Sequence, residues 1–71
     1  MWYVINGEFY INLKKIIAFA IQSDIIIIHI ANGSFTFGYK SKSSSIKINS
    51  EVEFNNFKNA LLEIIKAKKE D

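Results

Sequence analysis

Two Asn-Gly pairs constrain the first half of this chain more than any other feature. Asn6-Gly7 separates two short β-rich runs, and Asn32-Gly33 separates residues 25–31 from residues 34–39. Both residues tolerate the positive φ of a type I′ turn, so Asn-Gly between such runs is the strongest short-range signal of a β-hairpin. A further turn is expected at Gln22-Ser23-Asp24. The pattern therefore predicts an antiparallel meander of five strands.

The alternation of side chains predicts which strand faces are buried. In the run at residues 25–30, Ile26, Ile28 and Ile30 point one way, and Ile25, Ile27 and His29 point the other. An antiparallel strand with one solvated face is not usually apolar on both sides. Sheet curling, a second subunit or a ligand must therefore cover the second face, which makes Ile25, Ile27 and His29 the candidate interface residues.

The second half of the chain predicts a loop, a short strand and a helix. Residues 40–45 are polar and have the composition of a mobile loop, and residues 46–48 could form an edge strand. Ser50 and Glu53 then match a capping box, in which each side chain satisfies a backbone donor of the other residue. A helix is predicted over residues 51–68. Its apolar stripe consists of Phe54, Phe57, Leu61, Ile64 and Ile65.

Together these elements predict an α+β fold. It consists of an antiparallel β-meander of five to six strands over residues 2–49, with one C-terminal helix over residues 51–68 packed on the sheet. We expect residues 1–71 to form a single domain. A chain of this length buries only about 60% of the surface that its unfolded form exposes, so its core is marginal. A dense apolar core, oligomerisation or both must compensate.

The residue types in the chain argue against catalysis and against metal binding. The sequence has no cysteine and one histidine, which excludes disulfides and thiolate metal sites and makes a protein zinc site implausible. Glu51 and Glu53 are too close in sequence to act as an acid and a base on opposite sides of a substrate. The chain is therefore expected not to be an enzyme, and no catalytic residue, metal ligand or cofactor is assigned.

The segment after Tyr39 is a candidate anion site. Lys40, Lys42, Ser43 and Ser44 carry the ammonium and hydroxyl donors that suit a phosphate group. The segment lacks the Gly-Lys-Ser/Thr pattern of a phosphate-binding loop. A solvated linker is the alternative interpretation.

Nucleic-acid binding is a weaker hypothesis. All nine basic residues are lysine, and arginine is preferred for forked recognition of phosphate and guanine. Lys14 and Lys15 could nevertheless act with the aromatic rings of Trp2, Tyr3 and Tyr10, on which unpaired bases could stack. The lysines at the end of the predicted helix, Lys66, Lys68 and Lys69, can equally be explained by the helix dipole.

The leading functional hypothesis is a homo-oligomeric adaptor or inhibitor that acts through contacts with another protein. It follows from the excess of apolar surface on a short chain, in which hydrophobic residues make up 49%. No secretory signal is recognised, and the apolar window at residues 16–31 is interrupted at its centre, so we expect a cytoplasmic protein without membrane contact. The composition, rich in Ile, Lys and Asn, indicates an AT-rich genome and suits a phage- or plasmid-encoded accessory protein.

Two resemblances accompany these inferences. Residues 6–16, followed by Asn32-Gly33, resemble the opening of short bacterial proteins of the flagellar swarming-accessory type. The ending with Phe54, Phe57 and Leu61 is similar to the strands-then-helix ending of small pleckstrin-homology-like modules. Both resemblances imply a small meander-plus-helix fold, and neither supplies functional residues.

Overall fold

The structure is a computed structural model that describes the backbone of residues 1–69 and the side chains of residues 1–66. This range contains six strands, one 3-10 turn and one α-helix. The strands are β1 (Trp2–Ile5), β2 (Phe9–Asn12), β3 (Ala18–Gln22), β4 (Ile25–Ile30), β5 (Gly33–Gly38) and β6 (Ile46–Lys47), and the helix is α1 (Glu51–Lys69). The α+β fold class is as predicted. Glu70 and Asp71, and the side chains of Lys68 and Lys69, lie outside the described residues.

The strands form two sheets rather than one continuous meander. β1 and β2 pair as an antiparallel hairpin, and a second sheet has the order β3-β4-β5-β6. The 3-10 turn at Leu13–Lys15 separates the two sheets. It is closed by the Asn12 side chain, which accepts a hydrogen bond of 3.1 Å from the backbone amide of Lys14. Asparagine often turns a backbone in this way, so the interruption has a local cause.

The last strand pairs in the opposite sense to the rest of its sheet. β6 runs parallel to β5, with Ile46 opposite Phe37. The preceding segment must therefore bring the chain back along the sheet before β6 begins. A two-residue strand carries too little pattern for its direction to be predicted from sequence.

The helix packs against both sheets, and Phe57 is the centre of this contact. Its ring centroid lies 5.3 Å from that of Tyr3 in β1 and 5.4 Å from that of Phe37 in β5. Phe57 and Leu61 are fully buried, as the predicted stripe requires. Ile65 is an exception, since 40% of its surface is exposed. The stripe is therefore interior over its first half and open to solvent near its end.

The start of α1 differs from the predicted capping box. The Ser50 hydroxyl accepts a hydrogen bond of 3.1 Å from the amide of Glu53, which is one half of the motif. The Glu53 carboxylate does not complete the other half, because it accepts a hydrogen bond of 2.7 Å from the backbone amide of Asn6. Ser50 therefore caps the start of the helix, whereas the Glu53 side chain makes a tertiary contact with Asn6.

The segment predicted to be a mobile loop is held by hydrogen bonds to β5. The amide of Ser45 donates to the Thr36 hydroxyl over 2.8 Å, and the two hydroxyl oxygens are 3.0 Å apart. Ser41 is buried, with 7% of its surface exposed. These contacts return the chain to the sheet and position β6.

Candidate functional site

The predicted interface residues lie together on the outer face of the four-stranded sheet, which is the face turned away from α1. Ile25 and Ile27 are half-buried and His29 is exposed, whereas Ile26 and Ile28 on the inner face are buried. The alternation inferred from the sequence is therefore confirmed for β4. The neighbours of these residues on the outer face are small or polar side chains: Ala18, Ala20 and Gln22 of β3, and Ser34, Thr36 and Gly38 of β5.

Part of the cover over this outer face comes from the chain itself. Gly38 lies opposite Ile25, and a Cβ atom at Gly38 would come within 2.7 Å of the Ser44 hydroxyl oxygen and 2.9 Å of the Ser41 Cβ. The serine-rich segment therefore packs over this end of the face. Ile25 and Ile27 stay half-buried beside this segment, and His29 stays exposed.

Two of the four candidate anion residues make side-chain hydrogen bonds within their own segment. The Ser43 hydroxyl oxygen lies 3.2 Å from that of Ser41, and the Ser44 hydroxyl donates to the Ser41 carbonyl over 3.4 Å. The Lys40 ammonium lies 5.4 Å from the centroid of the Tyr39 ring, and Lys42 is exposed. The hydroxyls of Ser43 and Ser44 thus contribute to the internal structure of the segment, and the contacts found for Lys40 and Lys42 involve no serine.

An apolar cleft of about 530 Å³ lies between the start of β3 and the second half of α1. Its lining consists of Met1, Leu13, Lys14, Ile16, Ile17, Ala18, Phe19, Ile64 and Ile65. Met1 and Ile17 are unusually open for apolar side chains, with 73% and 68% of their surfaces exposed. Among the described residues of this lining, Lys14 carries the only charged side chain, so this part of the cleft is suited to another apolar surface.

The edge of the four-stranded sheet runs beside this cleft. β3 is the edge strand, and no strand within residues 1–69 pairs with its outer side. Ala18 and Phe19 belong both to β3 and to the lining of the cleft. Unpaired backbone donors and acceptors therefore adjoin exposed apolar side chains, an arrangement that another polypeptide can complete.

A second exposed apolar surface lies on the β1–β2 hairpin. Val4 and Tyr10 are paired across the two strands, and Trp2 lies two residues from Val4 on the same face. The exposed fractions of Trp2 and Tyr10 are 65% and 66%. Tyr3 is on the opposite face, against Phe57, and so belongs to the core.

Two chemical features of the part of the chain that the structure describes concern its metal-ligating side chains and the pKa of Tyr3. No cluster of three histidine, cysteine, aspartate or glutamate side chains is found among those residues. Burial raises the pKa of Tyr3, and the negative charge of Glu53 raises this pKa further. This perturbation accompanies the packing of the Tyr3 ring against Phe57.

The comparisons leave the site to be interpreted from its own geometry. No protein-family model, curated protein or solved structure matches the chain. No helix among the described residues is long and apolar enough to cross a membrane.

The cleft has no signature in the periodicity of the sequence. Its walls come from the N-terminal residue, the 3-10 turn, β3 and the end of α1, which are distant in sequence. One local feature of the sequence does indicate exposed apolar surface at this place. Ile16 and Ile17 are adjacent, and two neighbouring residues of an extended segment cannot both face the core. Ile17 is the one that remains exposed.

Proposed function

We propose that this chain is a small, non-enzymatic binding and assembly module, a homo-oligomeric adaptor or inhibitor that acts through protein–protein contacts. The observation that supports this best is the apolar cleft of about 530 Å³ next to the unpaired edge of β3. Contiguous exposed apolar surface on a small protein is typical of an interaction site. An open strand edge adds directional hydrogen bonds to that apolar contact.

The energetic reason lies in the exposed side chains themselves. Burial of apolar surface contributes about 25 cal/mol per Å², and the chain leaves Met1, Ile17 and Ile65 substantially exposed around one cleft. Association would stabilise a core that is marginal at this length. We therefore place the contact surface at the cleft and the β3 edge, with Ile25, Ile27 and His29 as a neighbouring surface on the outer face.

The experiment that tests this function is a measurement of solution mass by light scattering over a range of concentrations. The wild-type protein is expected to self-associate, and Ile17→Glu is expected to weaken association because it places a charge at the cleft. Val52→Glu is the matched control, since Val52 is 69% exposed on α1 and does not line the cleft. A wild-type monomer at every concentration would reject the homo-oligomeric proposal.

Nucleic-acid binding is a second candidate, favoured by one observation. Trp2 and Tyr10 present two exposed rings on the same face of the hairpin, where unpaired bases could stack. A titration with single-stranded DNA at two salt concentrations tests it, because contacts between lysine and phosphate weaken as salt rises. Failure to bind at low salt would reject this candidate.

Sequestering of a nucleotide or another small anion has less support. The hydroxyls of Ser43 and Ser44 are engaged within their own segment, which leaves Lys40 and Lys42 as the remaining donors. A thermal-shift screen with phosphate and nucleotides would test this alternative. A cytoplasmic location and a phage or plasmid origin stay predictions of the sequence.

A further inference from the structure

We propose that two copies of this chain pair through β3, antiparallel and centred on Ala20, so that two four-stranded sheets become one eight-stranded sheet. This inference rests on the proposed self-association and specifies its interface. The binding partner at the edge of β3 and at the mouth of the cleft is a second copy of the chain.

The first argument is that β3 lacks the features that protect edge strands. Exposed edges are usually blunted by lysine, by proline, by a bulge or by a very short strand. The sequence of β3 is Ala-Phe-Ala-Ile-Gln, which contains neither a charge nor a proline. The opposite edge of the same sheet, β6, is only two residues long. β6 pairs only with Phe37 and Gly38, so residues 33–36 of β5 have no strand on that side either, although the Thr36 backbone is bound there by the Ser45 hydroxyl. β3 is therefore the longer continuous open edge of the sheet.

The second argument is the charge at the two ends of β3. Lys14 and Lys15 precede the strand and Asp24 follows it, and all three side chains are exposed. A parallel pair of β3 strands would bring lysines next to lysines. An antiparallel pair places the lysines of each copy beside Asp24 of the other. The charges therefore select the antiparallel direction.

The register follows from the length of the strand. Ala20 is the midpoint of Ala18–Gln22, so a two-fold axis at Ala20 pairs all five residues. Beyond the paired residues, Lys14 and Lys15 belong to the 3-10 turn before β3, and Ser23 and Asp24 form the turn to β4. The antiparallel register brings the end of β3 next to Lys14 and Lys15 in each copy to the end next to Asp24 in the other.

The side chains of β3 fit this arrangement on both faces. Phe19 and Ile21 lie on the inner face, opposite Ile28 and Ile26 of β4. In the register centred on Ala20, Phe19 faces the second copy's Ile21, which would lie at the mouth of the cleft. On the outer face the axis passes between two alanines, and these side chains are small enough for close approach of the backbones.

Cysteine cross-linking tests this interface directly, because the natural chain contains no cysteine. Directly opposed residues of an antiparallel pair have Cα atoms about 4.5–5.5 Å apart, which is within the range that a disulfide spans. Ala20→Cys is therefore expected to form a covalent dimer under mild oxidation. Ala18→Cys and Gln22→Cys should cross-link efficiently only when the two variants are mixed. Ile27→Cys, on the outer face of β4, is the control and should remain largely uncross-linked.

The outcomes separate this interface from the proposed function. Cross-linking of Ala20→Cys, together with the mixed pair, supports the β3 interface. A wild-type dimer with cross-linking at Ile27→Cys and none at Ala20→Cys would overturn it and leave self-association intact. A wild-type monomer would overturn both proposals.

A second set of variants addresses the same interface without oxidation. Ala20→Lys places two like charges at the axis and is expected to weaken the dimer at least tenfold. Ser34→Lys is the matched control, because Ser34 is exposed on the same outer face in β5, away from the edge. Circular dichroism would verify that both variants fold. Equal mass for Ala20→Lys and wild type at all concentrations would contradict the proposal.

Discussion

The backbone amide of Asn6 donates a hydrogen bond of 2.7 Å to the carboxylate of Glu53, across 47 positions of the sequence. The Asn6 side chain adds two further bonds, to the carbonyl of Lys47 over 2.6 Å and from the amide of Asn49 over 2.9 Å. One turn residue thus ties the β1–β2 hairpin to β6 and to the start of α1. Its backbone adopts a φ of 57°, which asparagine tolerates better than most residues.

Asn6→Ala is expected to lower the free energy of unfolding by about 2–3 kcal/mol. The estimate combines two lost side-chain hydrogen bonds at about 1 kcal/mol each with about 1 kcal/mol for a left-handed backbone at alanine. Asn6→Gly keeps the backbone conformation and should cost about 1–2 kcal/mol. Urea denaturation would measure both values.

Asn32→Ala is the matched control for Asn6. It alters the turn between β4 and β5, which consists of Ala31 and Asn32, and no side-chain hydrogen bond of Asn32 is found within the described residues. A change of about 0.5 kcal/mol or less is expected, as for an ordinary surface position. Equal losses at the two asparagines would mean that the long-range hydrogen bonds of Asn6 contribute nothing.

Glu53→Ala should destabilise the protein by about 1.5–3 kcal/mol, because the amide of Asn6 loses a charged acceptor. Glu51→Ala is the control at the same end of α1. Glu51 is exposed, so its contribution is limited to the helix dipole, about 0.3–1 kcal/mol. Thermal unfolding of both variants would compare them, and a larger loss at Glu51 would contradict the tertiary role of Glu53.

Gly38→Ala is expected to cost about 1–3 kcal/mol, as overpacking commonly does. The new methyl group would lie 2.8 Å from the Ser44 Cβ and 2.9 Å from the Ser41 Cβ, so the serine segment must move. The penalty should shrink in a Ser44→Gly background, where the nearest side chain is removed. Chemical denaturation of the four proteins of this cycle would measure the coupling. If Gly38→Ala costs the same free energy of unfolding with and without Ser44→Gly, the contact with Ser44 is not the cause of the destabilisation.

The phenol of Tyr3 should make stability fall in alkaline solution. Burial and then the Glu53 charge raise the pKa of Tyr3 above its ordinary value of 10.0. The unfolded chain therefore loses this proton first, so stability is unaffected below about pH 10 and declines as pH rises through the interval between the two pKa values. Tyr3→Phe should show a shallower decline. Identical slopes in denaturation measured from pH 9 to 11 would contradict this.

The fold was largely predictable because its signals are local. The Asn6-Gly7 turn, the alternation along β4 and the stripe of Phe54, Phe57 and Leu61 each depend on residues a few positions apart. The second hairpin was also predicted, but its turn consists of Ala31 and Asn32, and Gly33 already pairs with Ile30 in β5. The separation of β2 from β3 was missed, although Asn12 ahead of Leu13 is a common turn residue. The parallel direction of β6 depends on the hydrogen bonds between Thr36 and Ser45, which link residues nine positions apart.

The candidate site was less predictable than the fold. The sequence placed Ile25, Ile27 and His29 on one face, but the partial cover of Ile25 by the serine segment depends on a close approach at Gly38. The opening at Ile17 and Ile65 depends on how the end of α1 sits over β3. Periodicity assigns a residue to a face of its own element, and it carries no information about the gap between two elements.

The three hydrogen bonds of Asn6 have a consequence for the order of folding. They close loops of 41 to 47 residues, whereas the β3–β4–β5 contacts join close neighbours in sequence. Long loops cost more entropy to close, so docking of the first hairpin is expected after the main transition state. Asn6→Ala should then leave the refolding rate almost unchanged and accelerate unfolding, which stopped-flow kinetics would reveal. The unfolding rate, and with it the lifetime of the native state, would therefore depend on the hydrogen bonds that Asn6 makes at the turn between β1 and β2.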